Sequence, residues 1–502
     1  MLEQVHMDIT LNSENNQREL LELHTSLLAT QRALRQSPYA LIVLISGVEG
    51  VGKNQVINRL NEWLDTRYIT THGFLEETDS ELKRPYYWRY WRRLPACGDT
   101  AVMLNAWYMK LFHQPLKTQQ HAFTMHDALT SIERFEQTLS LNHTKIIKFW
   151  LHLSAKELAK RLKKIKKNEP ERLSYCELEK KFLANYDATV AHADSLLERS
   201  SYEFAPWHLI PADQPKVRDL LVARTLLREM NQLFPTEAIA ANHYPHSTTR
   251  KPKPAPSVHL QRRQRLEACE LDRILKADEY KKQLKEQQQR LGQLAWQAFN
   301  QRHSLVLVFE GWDAAGKGGV IRRLTAGLDA KLYRVISTAA PTDEERAHHY
   351  LWRFWRHIPR AGYLTLYDRS WYGRVLVERV EQLADENTWQ RAYSEINDFE
   401  KQLNDHGVGV IKFWLHIDDD EQLKRFQQRQ ITPWKRHKIT AEDWRNREKR
   451  PQYTQAVEDL LEKTDNTNAP WHVIAANDKK FARIEVIRIV CAYLEGVTSR
   501  KS

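Results

Sequence analysis

Two continuous apolar runs stand out in the pattern of hydrophobic and polar positions along the chain. Residues 41–45 read Leu-Ile-Val-Leu-Ile, and residues 305–309 read Leu-Val-Leu-Val-Phe. A run without polar alternation predicts a strand that is buried on both faces of a parallel sheet. Each run follows a charged stretch that is predicted to be helical, at roughly 14–36 and 262–300. Further strands are predicted at 364–367, 410–415 and 472–475.

The same pattern occurs twice at one fixed spacing. Matching residues lie 264 positions apart, without a gap, in the pairs Lys53 and Lys317, Trp88 and Trp352, Pro95 and Pro359, Trp150 and Trp414, and Trp207 and Trp471. Strands that alternate with helices in each copy predict two tandem α/β domains, each a parallel sheet sandwiched by helices. We predict a first domain at residues 1–235, a proline-rich basic linker at 236–261, and a second domain at 262–502.

Each apolar run leads into a glycine-rich segment of the P-loop type. Residues 47–53 read Gly-Val-Glu-Gly-Val-Gly-Lys, and residues 311–317 read Gly-Trp-Asp-Ala-Ala-Gly-Lys. Such a turn between a strand and a helix directs backbone N–H groups at a phosphate, and the helix dipole favours the anion. In the second copy, Lys317 supplies a cation, and the predicted phosphate-binding glycines are Gly311, Gly316, Gly318 and Gly319.

The second copy also carries two carboxylates suited to a metal ion. Position 318 is glycine, where the usual P-loop has a serine or threonine that binds magnesium. Metal binding must therefore fall to carboxylates. Asp313 lies inside the loop, and Asp368 ends the predicted strand 364–367, where a magnesium ion is normally held beside a P-loop. We predict Asp313 and Asp368 as ligands of Mg²⁺.

The first copy lacks most of these features. Glu49 replaces the loop aspartate, Asn54 and Gln55 replace the two glycines after the lysine, and Leu104 replaces Asp368. Leucine cannot bind a metal ion, and a Cβ atom crowds a cradle that depends on glycine. Residual phosphate binding is the weaker interpretation. We predict that the first domain is an inactive, degenerate copy with a structural or regulatory role.

The charge of the chain predicts a polyanionic partner. The formal net charge is +12, and between residues 424 and 450 ten lysines and arginines face three acidic residues. Nucleic acid is the usual partner of so basic a chain. The tract Trp352-Arg353-Phe354-Trp355 and its counterpart at 88–91 would suit base stacking. At helical spacing, however, the tryptophans share one face, which favours a core position with the arginines pointing outward.

Composition excludes several other classes. Hydrophobic residues make up 42% of the chain, but no run of about 18 apolar residues predicts a membrane span. The N-terminus lacks the pattern of a secretion signal, so a cytoplasmic location is predicted. The four cysteines are scattered and predict neither a zinc site nor a disulfide framework.

Four motifs together resemble the family-2 polyphosphate kinases, and the duplication resembles the two-domain polyphosphate:AMP phosphotransferase branch of that family. The motifs are Gly-Trp-Asp-Ala-Ala-Gly-Lys-Gly-Gly, Trp-Arg-Phe-Trp-Arg, Asp-Arg-Ser-Trp-Tyr-Gly-Arg-Val-Leu-Val-Glu-Arg-Val and Ile-Lys-Phe-Trp-Leu-His. The resemblance implies a P-loop kinase fold with a basic helical lid and dependence on Mg²⁺. It also implies transfer of the terminal phosphoryl group of inorganic polyphosphate to AMP, which gives ADP.

The resemblance assigns roles to matching residues. The implied catalytic residues are Asp313, Lys317, Asp368, Arg369 and Arg374. Arg369, Arg374 and Glu378 are implied to bind the acceptor nucleotide. The basic lid, which would bind the phosphates of the donor, falls on Arg429, Lys435, Lys438, Arg445 and Arg447.

Three alternative functions stay open at the level of the sequence. An ATP-dependent nucleoside monophosphate kinase would share the loop and the metal, and a polyphosphate kinase could act on nucleoside diphosphates. A nucleic-acid-binding or scaffolding protein would account for the charge and the aromatic residues. We expect polyphosphate and AMP as partners, a homo-oligomer, and neither nucleic acid nor membrane.

Overall fold

The structure is a computed structural model that describes residues 1–2, 13–74, 77–113, 125–165, 180–234, 265–431, 439 and 441–499. The chain forms two compact units, and each unit contains one five-stranded sheet. The two units do not coincide fully with the two halves of the chain. Residues 77–89 belong to the second unit, and residues 343–349 belong to the first. The predicted linker at 236–261 lies outside the described residues.

Both sheets are parallel throughout and share one strand order. The strands are β1 (Ala40–Gly47), β2 (Ile69–Gly73), β3 (Thr100–Leu104), β4 (Thr144–His152), β5 (Trp207–Pro211), β6 (Ser304–Gly311), β7 (Tyr333–Ser337), β8 (Leu364–Asp368), β9 (Val408–His416) and β10 (Trp471–Ala475). The first sheet has the order β2-β3-β1-β4-β5, and the second has the order β7-β8-β6-β9-β10. The predicted fold is therefore confirmed.

Helices connect the strands in both units. In the first half they span Ser13–Arg35, Lys53–Trp63, Asp79–Leu82, Trp88–Trp91, Met109–Phe112, Met125–Leu141, Ala155–Ile165, Tyr186–Arg199 and Pro215–Asn231. In the second half they span Ala277–Asn300, Lys317–Thr325, Asp343–Arg346, Trp352–Trp355, Val377–Val380, Glu386–Asp405, Asp419–Ile431, Ala441–Glu448, Arg450–Thr464 and Lys479–Thr498. Turns of 3₁₀-helix cover Thr66–Tyr68 and Trp371–Arg374.

The helix predicted at 262–300 begins later than the sequence pattern indicates. Its first turn is at Ala277, and residues 265–276 form turns and irregular backbone. The backbone N–H groups of Arg265 and Leu266 donate to the Glu458 carboxylate at 3.2 and 2.9 Å. These tertiary hydrogen bonds hold residues 265 and 266 against a distant part of the chain, and no local pattern reveals them.

The aromatic tracts belong to the core, as predicted. Trp352 and Trp355 are 6% and 0% exposed, and both lie on the single helical turn Trp352–Trp355. The expectation that the neighbouring arginines all point outward is wrong for the first copy. Arg89 is buried and forms an ion pair with Glu81 at 3.4 Å, which offsets the cost of removing its charge from water.

One buried polar cluster is repeated in both units. In the second, the Lys412 ammonium donates to Glu400 at 2.7 Å, to the Tyr372 hydroxyl at 3.0 Å and to the Thr464 carbonyl at 2.7 Å. In the first, Lys148 makes the matching three bonds at 2.8, 3.1 and 2.7 Å, with Glu136, Tyr108 and Ser200. All four charged side chains are fully buried. Because the cluster is the same in both copies, it belongs to the fold and not to the chemistry of one copy.

Two of the predicted absences can be examined in the described part of the chain. Cys97, Cys269 and Cys491 form no disulfide among the described residues, and Cys176 lies outside them. Among the helices that the structure describes, none combines the length and the apolar character that a membrane crossing requires. The cytoplasmic location stays a prediction.

Candidate active site

The predicted P-loop of the second copy joins β6 to the helix Lys317–Thr325. Gly311 has φ 145°, and a Cβ atom there would lie 2.5 Å from the Leu415 carbonyl oxygen. Gly316 has φ 110° and caps the helix. Both conformations are strained for a residue with a side chain. Gly318 and Gly319 have ordinary backbone conformations, and a Cβ atom at Gly318 would lie 3.9 Å from Asp368 Oδ2. This is an ordinary van der Waals distance, so Gly318 lies next to the Asp368 carboxylate without a close contact.

The Lys317 ammonium lies within this loop without a carboxylate partner. It donates to the backbone carbonyls of Gly311 at 2.6 Å and Trp312 at 3.3 Å. Among the described residues it forms no ion pair. Desolvation lowers the pKa of this half-buried lysine, and nearby Asp313 opposes that effect. The loop thus presents a cation whose charge is available to an anionic ligand.

The two predicted metal ligands differ in their present contacts. Asp313 accepts hydrogen bonds from Arg369 Nη2 at 3.2 Å and from Asn446 Nδ2 at 2.9 Å. Asp368 ends β8, and within the described ranges its carboxylate accepts no hydrogen bond and forms no ion pair. Both carboxylates belong to the charged surroundings of Lys317. Carboxylate oxygens are the ligands that hard divalent cations prefer, so this pair fits a magnesium ion. The described residues contain no group of three or more metal-binding side chains.

The turn after β8 carries the two predicted acceptor arginines. Arg369 has φ 63° and directs its guanidinium to Asp313. Arg374 ends the 3₁₀ turn, pairs with Glu378 at 2.9 Å and lies 4.5 Å over the Tyr350 ring. A cleft next to the P-loop is lined by Gly373 and Val377, whereas Arg374 and Glu378 are not among its lining residues. The structure therefore brings Arg369 to the cleft and holds Arg374 in a separate ion pair.

A cleft of about 90 Å³ opens at the P-loop. Besides the predicted residues Asp313, Lys317, Arg369 and Arg447, its polar lining comes from residues that sequence reasoning did not assign to the site: Glu310, Gln422, Glu442, Asn446, Arg450 and Tyr453. Arg450 lies 4.1 Å over the Trp312 ring. The signal that could have revealed these residues is the comparison of the two copies. The position 264 residues before Asn446 is Phe182, and that before Gln422 is Leu158.

Both copies of the chain match one known protein family. The sequence model of the protein family described as polyphosphate kinase 2 matches residues 10–237 and again residues 274–502. The chain belongs to the polyphosphate kinase 2 family.

Relatives within the polyphosphate kinase 2 family match over the whole chain. The polyphosphate:AMP phosphotransferase of Pseudomonas aeruginosa PAO1 is 42% identical over 99% of each chain. That of Acinetobacter johnsonii is 36% identical over 97% of each chain. A crystal structure described as polyphosphate kinase 2 from Pseudomonas aeruginosa PA01 has a TM-score of 0.87 and 40% identity, with full coverage of both chains.

The lid predicted from the resemblance to polyphosphate kinase 2 proteins is described in part. Arg447 lines the cleft and donates to the Asp419 carbonyl at 2.9 Å and to Gln422 at 3.1 Å. Arg445 is about half exposed and pairs with Glu381 at 3.3 Å. Arg429, like Arg445, is not among the residues that line the cleft. Lys435 and Lys438 lie outside the described residues.

The first copy of the polyphosphate kinase 2 loop is closed by its own side chains. Lys53 donates to Glu49 at 2.7 Å and to the Gly47 carbonyl at 3.2 Å. His113 also contacts Glu49, at 2.9 Å. Burial alone would raise the pKa of Glu49, but Lys53 and His113 together lower it to about 2. The lysine charge that a phosphate would need is thus already neutralised.

Apolar side chains occupy the space next to the first loop. Phe112, Trp150 and Phe182 line a cavity of about 10 Å³, and these three residues are at most 7% exposed. Phe112 and Trp150 pack with their ring centroids 4.7 Å apart. The volume next to the first loop is therefore far smaller than the cleft beside Lys317, and it is too small for a phosphate group.

Proposed function

We propose that the protein transfers the terminal phosphoryl group of inorganic polyphosphate to AMP, and that the second copy performs this reaction. The observation that carries the proposal is the open cation of Lys317 beside the unpaired carboxylate of Asp368. Full-length relatives with 36% to 42% identity are named polyphosphate:AMP phosphotransferases, which supports the choice of donor and acceptor.

Phosphoryl transfer depends mainly on positioning and on neutralising charge. Lys317 and the N–H groups of the P-loop bind oxygens of the transferring group. Arg369 orients the phosphate of AMP toward it. That phosphate is already ionised near neutrality, so the reaction needs no strong general base. Arg374 would have to leave Glu378 to contact the acceptor, and it otherwise acts by supporting the turn after β8.

Asp313 and Asp368 are the residues that would hold Mg²⁺. The ion would supply neutralisation of the charge on the transferring phosphoryl group. In the structure, Asp313 accepts hydrogen bonds from Arg369 and Asn446, so its carboxylate would give up these contacts if it held the ion. The Arg369 guanidinium lies at the cleft, where it can bind a phosphate.

The basic residues beside the cleft suit a donor that is a chain of phosphates. Arg447 and Arg450 line the cleft, and the predicted lid continues through Arg429, Lys435, Lys438 and Arg445. Several charges that each meet one phosphate would give affinity with a steep salt dependence. A single nucleotide donor would use fewer of them.

The first domain, on this proposal, does not catalyse the reaction. Lys53 is neutralised by Glu49 at 2.7 Å, and Leu104 stands where Asp368 stands in the second copy. The first domain nevertheless has the same parallel sheet and the same buried lysine cluster as the second. A structural role in the protein fits these features.

The test compares two donors. Purified protein is incubated with Mg²⁺ and AMP, together with either polyphosphate or ATP, and ADP is quantified by chromatography; ADP that appears with polyphosphate and needs Mg²⁺ supports the proposal. Turnover with ATP alone would assign an ATP-dependent nucleoside monophosphate kinase instead. Substitution of ADP for AMP distinguishes an enzyme that acts on nucleoside diphosphates.

A further inference from the structure

A hydrogen bond joins the end of the P-loop strand to the turn that follows β8. The Ser370 hydroxyl donates to Glu310 Oε1 at 2.8 Å. Glu310 is the residue before Gly311, and Ser370 follows Arg369. The two side chains are 5% and 3% exposed, so water does not compete for the bond.

The same serine hydroxyl begins the next turn of the chain. It accepts a hydrogen bond from the Tyr372 N–H at 3.3 Å and caps the 3₁₀ turn Trp371–Arg374. One residue earlier, the Arg369 N–H donates to the Phe309 carbonyl at 3.1 Å. Two successive residues of β6 thus hold two successive residues of the turn, and that turn carries both acceptor arginines.

The backbone at Arg369 needs such support. Its φ of 63° lies in the left-handed region, which a long side chain rarely adopts. The matching residue of the first copy, Asn105, has φ 52°, but asparagine tolerates this conformation well. The second copy therefore keeps an arginine in a strained conformation where the first has a residue that suits it, and surrounding bonds must hold that conformation in place.

The backbone bond of this support is shared by both copies, since the Asn105 N–H donates to the Ile45 carbonyl at 3.4 Å. The side-chain bond between Glu310 and Ser370 is specific to the second copy. The residues 264 positions before Glu310 and Ser370 are Ser46 and Ala106. Alanine has no hydroxyl, so the first copy cannot form this bond. The buried Lys412 cluster, by contrast, is present in both copies. The Glu310–Ser370 bond is thus found in the copy that has Asp368 and the loop glycines. It is not part of the fold that both copies share.

We propose that Glu310 and Ser370 are positioning residues for phosphoryl transfer: their hydrogen bond fixes the turn that presents Arg369 to the cleft and holds Arg374. This inference rests on the proposed function. Neither residue needs to touch the reacting atoms, although Glu310 also lines the cleft. The hydrogen bond, and not the negative charge of Glu310, is the feature that matters.

The experiment uses the full chain and four substitutions. Ser370→Ala and Glu310→Ala remove the bond, whereas Glu310→Gln keeps an amide oxygen that accepts from Ser370. Ser304→Ala is the matched control. Ser304 is also a buried serine of β6, and its hydroxyl donates to the Arg360 carbonyl at 3.0 Å and accepts from the Gly362 N–H at 2.9 Å, at the strand end away from the cleft.

We expect Ser370→Ala and Glu310→Ala each to lower kcat/KM for AMP by about tenfold or more, as loss of a buried hydrogen bond predicts. Glu310→Gln should stay within about threefold of wild type, and the Glu310→Ala/Ser370→Ala double variant should be no worse than either single variant. Ser304→Ala should lower the melting temperature but leave kcat/KM unchanged.

Hydrogen exchange of the peptide that covers residues 369–376 provides a readout independent of the reaction. Ser370→Ala should lose protection there, and Ser304→Ala should not. The proposal is overturned if exchange at 369–376 is unaffected, if Ser370→Ala keeps wild-type kcat/KM, or if Ser304→Ala loses as much activity. Wild-type turnover with polyphosphate and AMP in the same assay tests the proposed function separately, because the exchange result does not depend on the donor.

Discussion

Lys53 and Lys317 occupy matching positions in two copies of one loop, but their surroundings differ. Lys53 is bound by the partly buried Glu49 carboxylate at 2.7 Å, next to a cavity lined by aromatic rings. Lys317 contacts only backbone carbonyls among the described residues and borders an open cleft. The motif lysine alone therefore does not define a phosphate site; the charges and the volume around it do.

The same comparison separates the residues of the fold from those of the chemistry. The Lys148 and Lys412 clusters have nearly identical bond lengths in the two copies. The pair of carboxylates predicted to bind a metal ion, Asp313 and Asp368, occurs in the second copy alone, as does the Glu310–Ser370 bond. Features shared by both copies stabilise the sheet, and features of one copy are candidates for catalysis.

The largest expected effect is on turnover. Asp368→Asn should lower kcat for ADP formation by about 10³-fold, because an amide neither carries the charge nor binds Mg²⁺ like a carboxylate. Glu49→Gln, which changes the loop acid of the first copy, should keep wild-type turnover. A similar loss of kcat in both variants would show that the two copies contribute equally to turnover, against the expectation.

Loss of the buried lysine should destabilise the protein to a similar extent in either copy. Lys412→Met and Lys148→Met each leave a fully buried glutamate without its counter-ion, and each should lower the free energy of unfolding by about 3–5 kcal/mol. Denaturant unfolding of both variants measures this. A large loss in one variant and none in the other would show that the cluster is not a shared element of the fold.

The buried acid of the first loop should appear in the pH dependence of stability. Because the folded-state pKa of Glu49 is about 2, below its ordinary value of 4.5, its contribution is complete above about pH 4.5 and is lost as the pH falls toward 2. The contribution is on the order of 3 kcal/mol. The free energy of unfolding in urea is measured at several pH values between 2.5 and 6. It should change less steeply with pH for Glu49→Gln than for the wild type. Equal slopes would contradict the tight Lys53–Glu49 pair.

A smaller effect concerns the donor. Arg450→Ala should raise KM for polyphosphate by about tenfold, with a weaker dependence of KM on salt, because Arg450 borders the cleft over Trp312. Tyr186 occupies the matching position in the first copy, and Tyr186→Phe should leave KM unchanged. An unaltered KM in Arg450→Ala would place the donor elsewhere.

The sequence predicted the strands well because buried parallel strands are continuous apolar runs, as in β6 and β9. It also placed Asp313, Lys317 and Arg369, which lie close together, because the loop and the end of β8 meet at one edge of the sheet. It could not predict that Asn446 donates to Asp313 across 133 residues. The late start of the helix at Ala277 escaped prediction for the same reason, since Glu458 lies far away in the chain.

A matched pair of lysine substitutions shows whether the reaction depends on the second P-loop and not on the first. ADP formation from polyphosphate and AMP is measured for Lys317→Met and Lys53→Met beside the wild type. We expect Lys317→Met to lose about 10²–10³-fold in kcat and Lys53→Met to retain the wild-type rate. Loss of activity in Lys53→Met, or its survival in Lys317→Met, would contradict the account.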